Sequence, residues 1–283
     1  MLKRFMYKHP VLAVLLPYIP CLIVLGGLCY FHVLDLFWTC FVAAWILPLL
    51  SFPVRSASRA MVRAASLKLE RDCDPYAFME EIAFLRSRRM RMEARVSFDI
   101  QYGLGLDAAG RYQEANEWLE KCLPAAPRLH PINRMQLFLS HAVTVSHCEE
   151  KRAELPALAA RLEEQYAALG FPPGYPNPFR ESLDTLQETC RFYAGNLSGL
   201  REKQVARVER YNAAPIYRRM LVHSCMWLAR IYEKEGSMRE ALAMYKYVTD
   251  HGNRLGVVEE AKGAIERLKN DRLPLEGSEA APR

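Results

Sequence analysis

Residues 221–248, LVHSCMWLARIYEKEGSMREALAMYKYV, decide the fold. Leu221, Cys225, Leu228, Ala229 and Tyr232 recur at three- and four-residue steps, which places them along one side of a helix. Gly236-Ser237 breaks that run, and Ser237 followed by Glu240 reads as a capping box that starts a second helix. The stretch therefore predicts two helices joined by a tight turn.

The same grammar extends in both directions. Val96, Ile100, Gly103, Leu104 and Leu106 trace another helical stripe, and no alternating β-branched run is long enough for a half-buried strand. Turns at Asp72-Cys73-Asp74-Pro75, Gly110-Arg111, Glu149 to Arg152, Gly195-Asn196 and Gly236-Ser237 recur at roughly 40-residue spacing. A second set falls between them, at 124–131, 170–178, 212–215 and 250–256. Two interleaved sets at one period predict stacked helical hairpins. Asp74-Pro75 and Asn177-Pro178 each pair a capping acceptor with a proline at the first helical position. The predicted hairpins are 55–90, 93–123, 132–169, 178–212 and 216–250, with a closing helix at 256–269. Residues 271–283 lack periodicity and read as a flexible tail.

Two hairpins resemble the tetratricopeptide repeat. Gly103, Leu106, Gly110, Tyr112, Ala115, Leu119, Cys122 and Pro127 fall on that family's spacing, as do Leu228, Ala229, Tyr232, Gly236, Ala241, Tyr245 and Val248. The resemblance covers about a quarter of the chain at motif strength, and the middle hairpins depart from the family's period. It implies an all-α solenoid of about five hairpins plus a capping helix. It also implies a concave face, lined by the first helix of each pair, that binds a protein or peptide without catalysis. Ile100, Leu104, His223, Met226 and Arg230 stand at groove positions. Only Arg230 suits an anion, so the resemblance implies a mixed apolar–polar groove in place of a carboxylate clamp.

The first 54 residues are different in kind. Val11 to Phe31 carries no charge and is about 21 residues long, and Leu36 to Phe52 forms a second apolar run of about 17, near the short end of what spans a bilayer. A cleaved signal peptide fits poorly, because a second apolar run follows at once. These runs predict a transmembrane hairpin with helices at about 11–31 and 36–52, ahead of a repeat domain at 55–270. Lys3, Arg4 and Lys8 precede the runs; Arg55, Arg59, Arg63 and Lys68 follow them. The positive-inside rule then places both termini in the cytoplasm of a multi-pass cell-membrane protein, and the resemblance implies a membrane-anchored tetratricopeptide protein of bacterial type. Arg55, Arg59 and Arg63 share one helix face and suit contact with anionic headgroups.

The 283 residues carry a formal charge of +6, and the pI is near 8.9. The excess cations flank the apolar runs, and Arg86, Arg88, Arg89, Arg91 and Arg95 point around a helix among Glu80, Glu81 and Glu93. That pattern weighs against nucleic acid. Eight cysteines show no CxxC pair, which argues for free thiols. His141, His147 and Cys148 do not converge as a zinc site would require. No HExxH, GxSxG, phosphate loop or GxGxxG is present. No catalytic, cofactor or metal residues are assigned. The sequence thus predicts a membrane-tethered, non-catalytic scaffold or adaptor. The alternative is a transport or secretion subunit whose hairpin is the active part. An enzyme with an unfamiliar site would announce itself by a deep polar pocket with perturbed titratable groups.

Overall fold

A computed structural model describes residues 10–30, 36–87, 90–171 and 179–276; the side chains of 10, 11, 14, 15, 17, 29, 36, 37, 39, 43, 46–58 and 271–276 lie outside that description. Every regular element among the described residues is a helix, and they contain no strand. The chain divides into two compact units, Met1–Ser66 and Leu67–Arg283.

The first unit holds α1 (Pro10–Tyr30) and most of α2 (Leu36–Glu70). Among the described residues, no helix is long and apolar enough to cross a membrane. This overturns the two-span hairpin and, with it, the integral membrane anchor and the multi-pass localisation. The physical reason is clearest in α2. Its apolar run from Leu36 to Phe52 is at the short end of the spanning range, and the same helix carries Arg59, Arg63 and Lys68 in its second half. The sequence of α1 includes Pro17, Pro20 and the pair Gly26-Gly27. Leu12, Leu16, Ile19, Ile23 and Val24 are nonetheless exposed there.

The second unit is built from helices α3 (Pro75–Arg86), α4 (Met92–Ala108), α5 (Tyr112–Glu120), α6 (Pro131–His147), α7 (Leu155–Ala168), α8 (Arg180–Tyr193), α9 (Leu200–Asn212), α10 (Arg218–Lys234), α11 (Met238–His251) and α12 (Val257–Glu276), with short 3-10 turns at 123–128, 149–154 and 215–217. Each packs chiefly on its neighbours in sequence. The glycine turns explain the register. Gly110, Gly195 and Gly236 all have φ near +78°, and the residue after each donates its N–H back to the last helical turn, as Ser237 does to Tyr232 O at 2.8 Å. Asp74 caps α3 as the sequence predicts, with its Oδ1 accepting from Ala77 N at 3.0 Å. Ser237 makes no side-chain cap to α11, and its own N–H, which Glu240 would accept in a capping box, is already taken by Tyr232 O in the turn at Gly236. The Asn177-Pro178 cap and residues 172–178 of the proline-rich loop lie outside the described residues.

Buried residues from successive helices make the core. Val96, Ile100, Leu119, Cys122 and Leu137 form one cluster; Met135, Leu139, Val145, Leu155, Leu183 and Leu186 form the next. Ala115, Ala229 and Ala241 are completely buried, so their helices approach closely.

The stack closes on itself. Gly256 N donates to Ala108 O at 2.8 Å, Arg254 N donates to Cys73 O at 3.2 Å, and Asn253 Nδ2 donates to Asp72 O at 2.8 Å. Arg219 on α10 pairs with Glu70 at 2.8 Å. Tyr112 at the start of α5 donates its hydroxyl to Glu260 on α12 at 2.5 Å. The last helices of the unit therefore dock on its first ones. The contact is tight because two glycines meet: a Cβ on Gly256 would lie 2.3 Å from Gly110 Cα.

Candidate functional site

Closure creates a cavity of about 780 Å3, within the usual range for small-ligand sites. Its walls include Tyr112 on α5, His147 at the end of α6, Arg152 in the following 3-10 turn, Phe192 and Tyr193 at the end of α8, Arg230 and Lys234 on α10, and Glu260 on α12. Contributions thus come from the beginning, middle and end of the second unit.

One aromatic cluster organises the cations. Phe192 packs edge-on against Tyr193 at 5.5 Å and Trp227 at 5.1 Å between ring centroids. Each ring carries a cation: the Arg152 guanidinium sits 4.1 Å from Tyr193, the Lys234 ammonium 4.1 Å from Phe192, and the Arg230 guanidinium 5.2 Å from Trp227. The ring faces attract positive charge. Trp227, Arg230 and Lys234 are spaced i, i+3, i+7, which sets all three on one side of α10.

The three cations differ in their partners. Arg230 pairs with Glu260, which also accepts from Tyr112. Arg152 donates to Ser146 O and Lys234 to Phe192 O. Among the described residues neither has a carboxylate partner. Of the lining acids, Glu233 is engaged by Arg267 at 2.7 Å and by Tyr245 at 2.6 Å, while Glu149 stands exposed.

Behind this wall lies a buried polar chain. His147 Nδ1 lies 2.9 Å from Asp107 Oδ1. Burial pushes the Asp107 carboxyl up, but the fields of His147, His223 and Arg219 outweigh it and hold it below its ordinary value. The Asp107 bond fixes the imidazole through Nδ1, so Nε2 is the ring nitrogen available to the cavity. The Tyr112 ring packs on His147 at 4.6 Å. Burial, and then the negative charge of Glu260, raise its phenol far above the ordinary range, so it stays a neutral donor. His223 Nε2 is buried without a hydrogen-bond partner. Burial first, then Arg219 and His147, push His223 down to about 3.

The residues singled out from sequence are scattered. Arg230 lines the cavity. Ile100 and Met226 are buried core residues, Leu104 packs against the cluster containing Ile100, and His223 belongs to the polar chain behind the cavity. Arg59 and Arg63 are exposed, whereas the Arg55 side chain lies outside the described residues. Arg152, His147, Tyr193 and Lys234 were not singled out as groove residues. They sit on hairpins without motif, or at helix ends, and come together only through the tertiary fold.

Among the described residues, no cluster of three or more His, Cys, Asp and Glu side chains could hold a metal ion. His141 faces Glu120 at 3.9 Å, and His147 faces Asp107. Comparison with family models, with curated proteins and with solved structures found no match.

Proposed function

We propose that this chain is a non-catalytic binding protein, an adaptor of tetratricopeptide-like type whose second unit receives part of a partner in the cavity around Arg230. The observation that carries this reading is the cavity itself. It is concave, set on helices instead of mobile loops, and walled by side chains that packing and ion pairs hold in place. Such preformed sites suit recognition, because little ordering cost remains when a ligand arrives. The resemblance at 103–127 and 228–248 points the same way, since that family binds proteins and peptides.

Cross-linked capture followed by identification of the bound proteins tests it. A specific partner should be retained by the native chain and by the control Arg161→Gln, an exposed residue of α7, and lost from Arg230→Gln and Met238→Glu, with the helical content of all four unchanged. Equal capture by the cavity variants would overturn the reading.

A further inference from the structure

We propose that this cavity, read above as a binding site, holds a phosphate monoester group, bound between Arg152 and Lys234 with His147 behind it. The proposal rests on that binding reading and names its ligand.

Three features select the chemistry. The first is charge. Arg152, Arg230 and Lys234 stand on three touching aromatic rings around one cavity. Only Arg230 is matched by a carboxylate there. Gathering like charges is unfavourable unless something offsets them. The aromatic faces offset part of it, and Glu149 is solvated at the exposed edge, where its field is screened. A dianion would complete the balance.

The second feature is donor number. A carboxylate has two oxygens and one charge, and a single arginine satisfies it side-on. Here a half-buried guanidinium, an ammonium at the rim and an imidazole nitrogen line the same space. A phosphate monoester carries a charge of about −1.5 to −2 and three acceptor oxygens, which matches a planar fork and a point charge. Asp107 stays ionised behind His147 and accepts the Nδ1 proton. When the imidazole is also protonated at Nε2, it donates to the phosphate while its own new charge is offset by Asp107.

The third feature is preorganisation. Arg152 and Lys234 are already held by backbone carbonyls and ring faces, so their side-chain freedom is largely spent before the ligand binds. The cavity of about 780 Å3 leaves room for an organic group beyond the phosphate.

Titration calorimetry on the intact chain, at constant ionic strength held with chloride, tests the proposal with inorganic phosphate and with phenyl phosphate as probes. Saturable one-site binding of either is expected. Tighter binding of phenyl phosphate identifies a monoester as the ligand; equal binding identifies the free ion. The R152Q/K234Q double variant should weaken association by about tenfold or more, as the loss of two charge-assisted hydrogen bonds implies, while the charge-keeping R152K/K234R variant should stay within a few-fold of native. The proposal is overturned if neither probe binds more tightly than about 10 mM, or if the double variant binds as the native chain does. Should the double variant lose its helical signal, R152Q alone decides by the same criterion. Partner capture in the presence of either probe separates this proposal from the broader reading: capture without phosphate binding retires only the phosphate.

Discussion

The Gly110–Gly256 seam makes a sharp energetic prediction. Replacing Gly256 by alanine would place a methyl carbon 2.3 Å from Gly110 Cα, 2.4 Å from Gly110 N and 2.8 Å from Ala109 C. All three obstacles are backbone atoms, so no side chain can rotate away. Relief requires the last helices to retreat from the first by about an ångström, which breaks the 2.8 Å bond from Gly256 N to Ala108 O. Over-packing costs about 1–3 kcal/mol, and the lost hydrogen bond adds about 0.5–1.5 kcal/mol. The expected destabilisation is about 2–4 kcal/mol. Gly263 supplies the control, because a Cβ there meets nothing within 4 Å and the residue lies inside α12. Gly263→Ala should stabilise by about 0.5–1 kcal/mol through helix propensity alone. Urea denaturation followed by far-ultraviolet circular dichroism measures both. Hydrogen exchange at the Gly256 amide reports whether the seam itself opens. Two substitutions with the same sign, or a Gly256→Ala loss below about 1 kcal/mol, would refute the view that the two glycines are required for closure.

Other consequences follow from the buried polar chain and the core. His223 is held at about 3 in the folded state against 6.5 when free. Between those values the unfolded chain binds the extra proton, so stability is lost as pH falls from 6.5 toward 3, by about 2 kcal/mol at pH 5. Thermal midpoints of native and H223N chains across pH 7 to 5 check this; parallel curves would count against it. Asp107→Asn removes the ionised partner of His147, with an expected cost of roughly 1–3 kcal/mol, readable as a lower urea midpoint. Leu119 is fully buried and packs against the bare backbone of Gly103. Leu119→Ala should therefore cost about 2–5 kcal/mol, and Gly103→Ala, whose Cβ would come within 2.8 Å of Leu119 Cδ2 and 2.9 Å of its Cγ, should cost about 1–3 kcal/mol by over-packing.

Local order was the legible part of this chain. Helical periodicity exposes α4 and α10 directly, because their apolar residues repeat at 3.6 and need no partner to be recognised. The turns at Gly110, Gly195 and Gly236 are equally plain, since a positive φ is a demand that sequence advertises. The Asp74 cap is local too. Ser237 misled because a capping box and a glycine turn compete for the same backbone N–H, and the glycine turn won. The apolar opening misled for another reason. Hydropathy of the stretch suggests two spans, but α2 joins its apolar run to a basic second half, and the described residues hold no helix long and apolar enough to cross.

Closure and the cavity were hidden because they depend on contacts between distant parts of the sequence. Gly256 looks like one more turn residue until Gly110 is opposite it. Arg152 reads as a solvated charge in a weak polar break, and Tyr193 as the end of an unremarkable helix; their pairing requires α8 to end beside the 149–154 turn. His147 illustrates the point best. Tested as a metal ligand with His141, it fails on helical geometry. Its actual partner, Asp107, lies on α4 and has no spacing relation to it. A buried aspartate in the middle of a helical stripe is the one signal sequence does offer here, because an unpaired carboxylate would be too costly to bury. Asp107, directly after Leu106 and before Ala108-Ala109-Gly110, is such a residue. Asking what cation it must meet would have led to the histidine, and from the histidine to the cavity that it lines.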